Sequence, residues 1–514
     1  MSQQDFAKTI GDGYSFKGDV LLLGKAMLDG QLQPELNIAV PLRTMNRHGL
    51  ISGATGTGKT KTLQLLAEGL SNASVPVLML DIKGDLSGIA AAGTPNDKIN
   101  ERVEAMGLTG YKTLAFPVEL LSLSDEPGTK LRATVTEFGP VLLSKILGLN
   151  DTQGSILSML FKYCDDHQLP LLDLQDLTKT LQWAANEGKD ELSGAYGNIS
   201  TASVGTIMRK VIELQQQGAD HFFGERSFDV DDLMRISDDG RGMISIVRVT
   251  DMQDKPKLFS TFMLQMLSEL YGSLPEAGDL DRPKLVLFID EAHLIFSDAS
   301  EVLLQQLETV IKLIRSKGVG IFFCTQNPMD VAPGVLGQLG LKIQHALRAF
   351  TANDRKTIKQ TAENYPDTTF YKTEDLITQL GIGEALVTSL NEKGIPTPLV
   401  HTMMCPPASR MDILNTTEIN DLVRRSKIAA AYNEVLNRES AYEILTKKLN
   451  NAAMQPKEET KTDTKKEEKS VLETIADNSV VKSMMRTAGN QIVRSLLGSL
   501  GLSGTARRKK SSWF

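Results

Sequence analysis

Eight consecutive residues, Gly53-Ala54-Thr55-Gly56-Thr57-Gly58-Lys59-Thr60, fill every fixed position of the pattern G-x-x-x-x-G-K-[ST]. An apolar stretch, Leu50-Ile51-Ser52, leads in, and a helix-compatible run from Thr62 to Leu70 follows. Such a loop constrains the fold because it needs a strand to deliver it and a helix N-terminus to receive it. Its glycines turn successive backbone N–H groups inward, and the helix dipole adds positive potential at the same point. The expected occupant is the phosphate chain of a nucleotide. Gly53, Ala54, Thr55, Gly56, Thr57 and Gly58 would form the cradle with Lys59 and Thr60. Lys59 would reach the β- and γ-phosphates, and the Thr60 hydroxyl would ligate Mg2+.

Two further apolar runs end in chemistry. Lys284 to Ile289 reads as a buried parallel strand, and Asp290-Glu291 stand at its C-terminal end, where ligands bind in open α/β sheets. Asp290 is expected to hold Mg2+ through water, and Glu291 to polarise the attacking water. His293 is expected to pack or hydrogen-bond rather than bind metal. Gly320 to Thr325 predicts another buried strand, stopped by Pro328. Gln326 at its end suits a bond to the attacking water or to the γ-phosphate. A strand from Val75 to Asp81 brings Asp81 and Lys83 to the same edge as accessory candidates. For Asp81, a structural cap competes with a catalytic or metal-shell role.

Composition removes other classes. The three cysteines are far apart, which excludes a disulfide framework or a cysteine zinc site and suits a reducing compartment. No basic region followed by an apolar core opens the chain, and no apolar stretch approaches the ~20 residues of a membrane span. The expected location is cytoplasmic. Net charge is −7, from 56 basic and 63 acidic residues, so broad electrostatic binding to DNA is not expected. A ring gripping a strand with a few pore residues would escape that test.

Thr60 and Asp290 are 230 positions apart, so something is inserted between them. Residues 1–47 read as a short β-rich N-terminal segment, 48–138 as the first part of the core and 139–217 as a helical insertion. Residues 218–410 read as the second part of the core and 411–454 as a helical extension. Residues 455–470 are a Lys/Glu/Thr linker, and 471–514 an amphipathic basic segment. That last segment could engage a membrane surface, a partner groove or its own protein.

No Asn-Lys-x-Asp follows a strand, so ATP is favoured over GTP. A Leu-Ser-Gly-Gly-Gln signature is absent. Asp290-Glu291-Ala292-His293 spells DEAH, but no downstream helicase arginine motif accompanies it. The chain instead resembles the HerA/FtsK superfamily of ring ATPases, and within it the YjgR-like branch, over nearly its whole length. The segments carrying the resemblance are 46–60, 81–88, 288–293, 314–320, 325–328 and 344–351. The resemblance implies an α/β fold: a RecA-like P-loop NTPase core with a mostly parallel sheet, an inserted helical subdomain, a short β-rich lead-in and a helical C-terminal tail. It implies ATP and Mg2+, and a homo-hexameric ring with ATP at subunit interfaces. Arg315 matches the arginine that reaches a neighbour's γ-phosphate in trans, with Arg348 a second candidate. HerA proteins carry a larger N-terminal β-barrel used in docking, so partnership with a HerA-type nuclease is not expected. The function expected is a motor that moves along a polymer, DNA first. One alternative is a motor or switch acting on protein, through the C-terminal segment. Another is a nucleotide-gated scaffold with little turnover, against which Glu291 and Gln326 argue.

Overall fold

The computed structural model describes residues 2–454, apart from 251–254, 279, 297–300 and 437. The linker 455–470 and the amphipathic segment 471–514 lie outside the described residues. Among the described residues, twelve strands form one sheet. They are β1 (Val20–Leu28), β2 (Gln31–Pro41), β3 (Gly49–Ser52), β4 (Val77–Asp81), β5 (Val118–Ser122) and β6 (Thr129–Lys130), then β7 (Ile244–Arg248), β8 (Leu285–Ile289), β9 (Val319–Thr325), β10 (Leu341–Gln344), β11 (Glu384–Thr388) and β12 (Val400–Met404). Their order across the sheet is β2-β1-β12-β11-β10-β3-β9-β8-β4-β7-β5-β6. From β10 to β6 every pairing is parallel. From β10 back to β2 every pairing is antiparallel.

The parallel half reads as continuous apolar runs because both of its faces are covered. In β8, Leu285, Leu287 and Ile289 join one core, whereas Val286 and Phe288 join another on the opposite face. β4 divides likewise, with Leu78 and Leu80 on one side and Val77 and Met79 on the other. Burying each such side chain favours folding by about 1.5–3 kcal/mol. The first core is roofed by helices Val135–Ile146, Asp151–Asp166, Leu174–Ala185, Thr201–Gln216 and Pro256–Ser273. Their N-termini are set locally: Thr134, Asn150 and Asp173 each close a capping box with the residue three positions on. Helix Ala441–Met454 returns to this layer, where Asp176 accepts a 2.8 Å bond from the Tyr442 N–H.

Residues 1–47, expected as a short β-rich N-terminal segment, carry β1 and β2. They open with a helix, Gln3–Gly13, started by a Ser2–Asp5 capping box and buried through Phe6 and Ile10. β1 and β2 then extend the central sheet itself, because β1 pairs with β12, more than 370 positions later. The turn joining them, Asp29-Gly30, has both residues at positive φ, as a tight hairpin requires.

Candidate nucleotide site

β3 carries the phosphate loop into helix Lys59–Asn72. Gly53, Gly56 and Gly58 all adopt positive φ, the conformation that favours glycine. The loop is held from three sides. Gly53 N–H donates to Thr325 O at 3.3 Å, Ala54 N–H to Ala346 O at 2.8 Å, and Gly383 N–H to Thr57 O at 3.0 Å. The first brings the end of β9 against the loop, the second the segment after β10, and the third the turn before β11. Lys59 Nζ lies 3.1 Å from Ala54 O. Burial lowers its pKa, opposed by the negative charges of Glu291 and Asp290.

His345 backs the loop. It is fully buried, with its N–H 2.7 Å from Ser52 O. Nδ1 lies 2.8 Å from Glu384 O and Nε2 2.9 Å from Thr62 Oγ1. A carbonyl can only accept, so Nδ1 carries the proton and Nε2 accepts from Thr62. Burial pushes the His345 pKa down to about 4. His48 plays a similar part at the start of β3: Nδ1 accepts from Ile321 N–H at 3.0 Å and Nε2 donates to Ile311 O at 2.9 Å.

Four acids meet beside the loop. Asp81, at the end of β4, is a structural cap: its carboxylate accepts from the backbone N–H groups of Gly84, Asp85 and Leu86. Burial drives its pKa up to about 7 despite those bonds. The cap turns Asp85 toward Thr60, whose Oγ1 is 3.4 Å from Asp85 Oδ2. Asp85 Oδ1 and Asp290 Oδ2 are buried oxygens without a hydrogen-bond partner. Orphaned carboxylate oxygens beside a threonine hydroxyl are the hard donor set that Mg2+ takes, so the residues present fit that ion. Burial, followed by the neighbouring Glu291 charge, raises the Asp290 pKa. Glu291 is buried at φ 46°, paired with Lys83 through Oε1, and has His293 Nδ1 at 3.2 Å from Oε2.

The remaining candidates divide. Gln326 is exposed at the nucleotide edge, one residue beyond Thr325, which touches the loop. Arg348 is on the same edge, exposed, with Nη1 3.3 Å from Thr378 O. Arg315 is also exposed but precedes β9, and so stands at the opposite edge of the sheet, about 20 Å from the loop by strand length. It does not meet its own phosphate loop. The role of Asp85 had a sequence signal, an acid four residues after a strand-end acid in a glycine-containing loop. Only the fold shows which of the two acids faces Thr60.

A family profile described as Helicase HerA-like C-terminal matches residues 27–508. The DNA import protein CedB of Sulfolobus acidocaldarius is 24% identical over 360 residues, covering 70% of this chain and 52% of that protein. The DNA double-strand break repair helicase HerA of Sulfurisphaera tokodaii is 22% identical over 372 residues, covering 69% of this chain and 64% of that protein. The chain therefore spans about half to two thirds of these relatives' length. Among solved structures, the bacterial conjugative coupling protein TrwB has the same fold, with TM-score 0.50 and 14% identity over 79% of this chain and 95% of that one.

Proposed function

Because this chain belongs to the HerA-like helicase C-terminal family, we propose that it hydrolyses ATP at the shared edge of β3, β4 and β8 and couples turnover to movement along DNA. One observation carries this: the phosphate loop, Thr60, Asp85, Asp290 and Glu291 converge although they come from three different strand exits. The loop N–H groups and Lys59 bind and orient the phosphates. Thr60, and Asp290 through water, would hold Mg2+, with Asp85 beside them, and the ion would offset phosphate charge when bound. Glu291 accepts a proton from the attacking water, and Gln326 orients that water.

A homo-hexameric ring with ATP between subunits completes the proposal. Arg315 supports this reading: an arginine exposed and far from its own loop suits a role at a neighbour's loop, where a fixed guanidinium would stabilise charge on the transferring phosphoryl group. Arg348, at the near edge, is the second candidate. We place the activity in the cytoplasm. Cys164, Cys324 and Cys405 are unpaired, and no described helix is long and apolar enough to cross a membrane.

The test is steady-state ATP turnover by the full chain, with and without duplex and single-stranded DNA, at low and physiological salt, with Lys59→Ala as blank. Stimulation by DNA that weakens as salt rises is expected, since phosphate contacts release counter-ions. Turnover indifferent to DNA moves the assignment to a protein substrate, a reading favoured by the net charge of −7. Wild-type turnover in Lys59→Ala would falsify the site itself.

A further inference from the structure

Lys83 and Glu291 leave the sheet on different strands, β4 and β8, yet the Lys83 ammonium is paired with the Glu291 carboxylate. The Glu291 side chain is 6% exposed and that of Lys83 37%. Glu291 sits at φ 46°, a conformation that a residue with a side chain keeps only where its surroundings enforce it. A carboxylate oxygen engaged with an ammonium must share or give up that contact to take a proton from water. The pairing therefore ties down one oxygen, Oε1, of the group that hydrolysis requires, while Oε2 faces His293 Nδ1 at 3.2 Å.

We propose that Lys83 alternates between two anionic partners, Glu291 and the γ-phosphate of ATP, and that its transfer to the phosphate releases Glu291 to the attacking water. The exchange rests on the ATPase proposal above. Three features of the molecule support it. Lys83 is close enough to Lys59 and Asp290 for its charge to act on both, so it stands among the groups around the phosphates. Its half-exposed four-carbon stem and three donors can be re-aimed without moving the backbone. The loop beneath it is fixed by the three bonds of Asp81, so the side chain swings and the loop does not. ADP lacks the third phosphate and leaves the Lys83–Glu291 pair closed. The base is then freed only when there is a bond to break.

A binding cycle on the full chain tests this with adenylyl imidodiphosphate and ADP as probes. Glu291→Gln removes the competing carboxylate and is expected to tighten binding of the imidodiphosphate about tenfold, with a smaller effect on ADP. In a Lys83→Ala background that gain is expected to vanish. Lys83→Gln, which keeps part of the stem, replaces Lys83→Ala if the latter does not fold. A gain that persists without Lys83 is plain relief of charge repulsion and overturns the exchange, as does the absence of any gain with Lys83 present. Wild type that binds neither probe overturns the ATPase proposal and the exchange with it; wild type that binds both with an additive cycle overturns the exchange alone.

Discussion

Replacing Gly53 by alanine tests how the phosphate loop is held. A Cβ built on Gly53 falls 2.6 Å from His345 Cβ and 3.1 Å from both Cα and C of His345. Carbon atoms pack at about 3.5–4.0 Å, so one side must retreat by roughly 1 Å. His345 cannot easily do so. Its N–H is bonded to Ser52 O, its ring to Thr62 and Glu384, and the next carbonyl accepts from Ala54. The loop moves instead, and Gly53 must also hold φ 148° with a side chain. The expected stability loss is about 1–3 kcal/mol from overpacking. A displacement of that size where reacting groups are positioned costs about 100-fold in rate. Thermal unfolding measures the first quantity, and turnover at saturating ATP the second. Gly53→Ala with unchanged melting temperature and unchanged turnover would show that His345 does not hold the loop.

Two other expectations concern protonation and assembly. Burial lowers the His345 pKa from 6.5 to about 4, so the unfolded chain binds the extra proton first. Stability from this group is then present above about pH 6.5 and falls as pH drops toward 4, by about 2 kcal/mol at about pH 5. The stability advantage of wild type over His345→Gln should shrink by that amount between neutral pH and about pH 5 in denaturant titrations; an advantage that is constant with pH rejects the buried neutral imidazole. Arg315→Ala is expected to be inactive alone yet to regain turnover in rings mixed with Lys59→Ala, since each variant keeps the half-site the other lacks. Demonstrated mixed rings without recovery would count against the trans role.

The site was legible where chemistry follows the chain. The phosphate loop is eight contiguous residues, and Asp290-Glu291 end an apolar run whose burial on both faces leaves a clear pattern. Asp81 and Asp85 show where such legibility stops. Asp81 ends β4 and Asp85 lies in the loop that follows, and which caps and which faces Thr60 is decided by three backbone bonds that no spacing reveals. His345 was hidden for a different reason: its role depends on β10 lying beside β3, a pairing across some 290 positions. In the antiparallel half, the β1–β12 pairing is equally non-local. Helix Gln3–Gly13 and the Asp29-Gly30 turn do carry local signals, a capping box and a hairpin pair, but in a segment where apolar runs alone suggest only strands.

β3 lies between β9 and β10, so the strand that delivers the phosphate loop has both neighbours some 270 positions or more further along the chain. During synthesis from the N-terminus, at about 5–20 residues per second, the loop emerges long before anything can pair with its strand. It must wait on the order of tens of seconds beside an unpaired edge. Nucleotide cannot help the chain nucleate early, because the cradle closes only with the last third of the sheet. On the function proposed above, ATP is a ligand of the finished protein, and its stabilising effect would act on retention of the fold rather than on its acquisition.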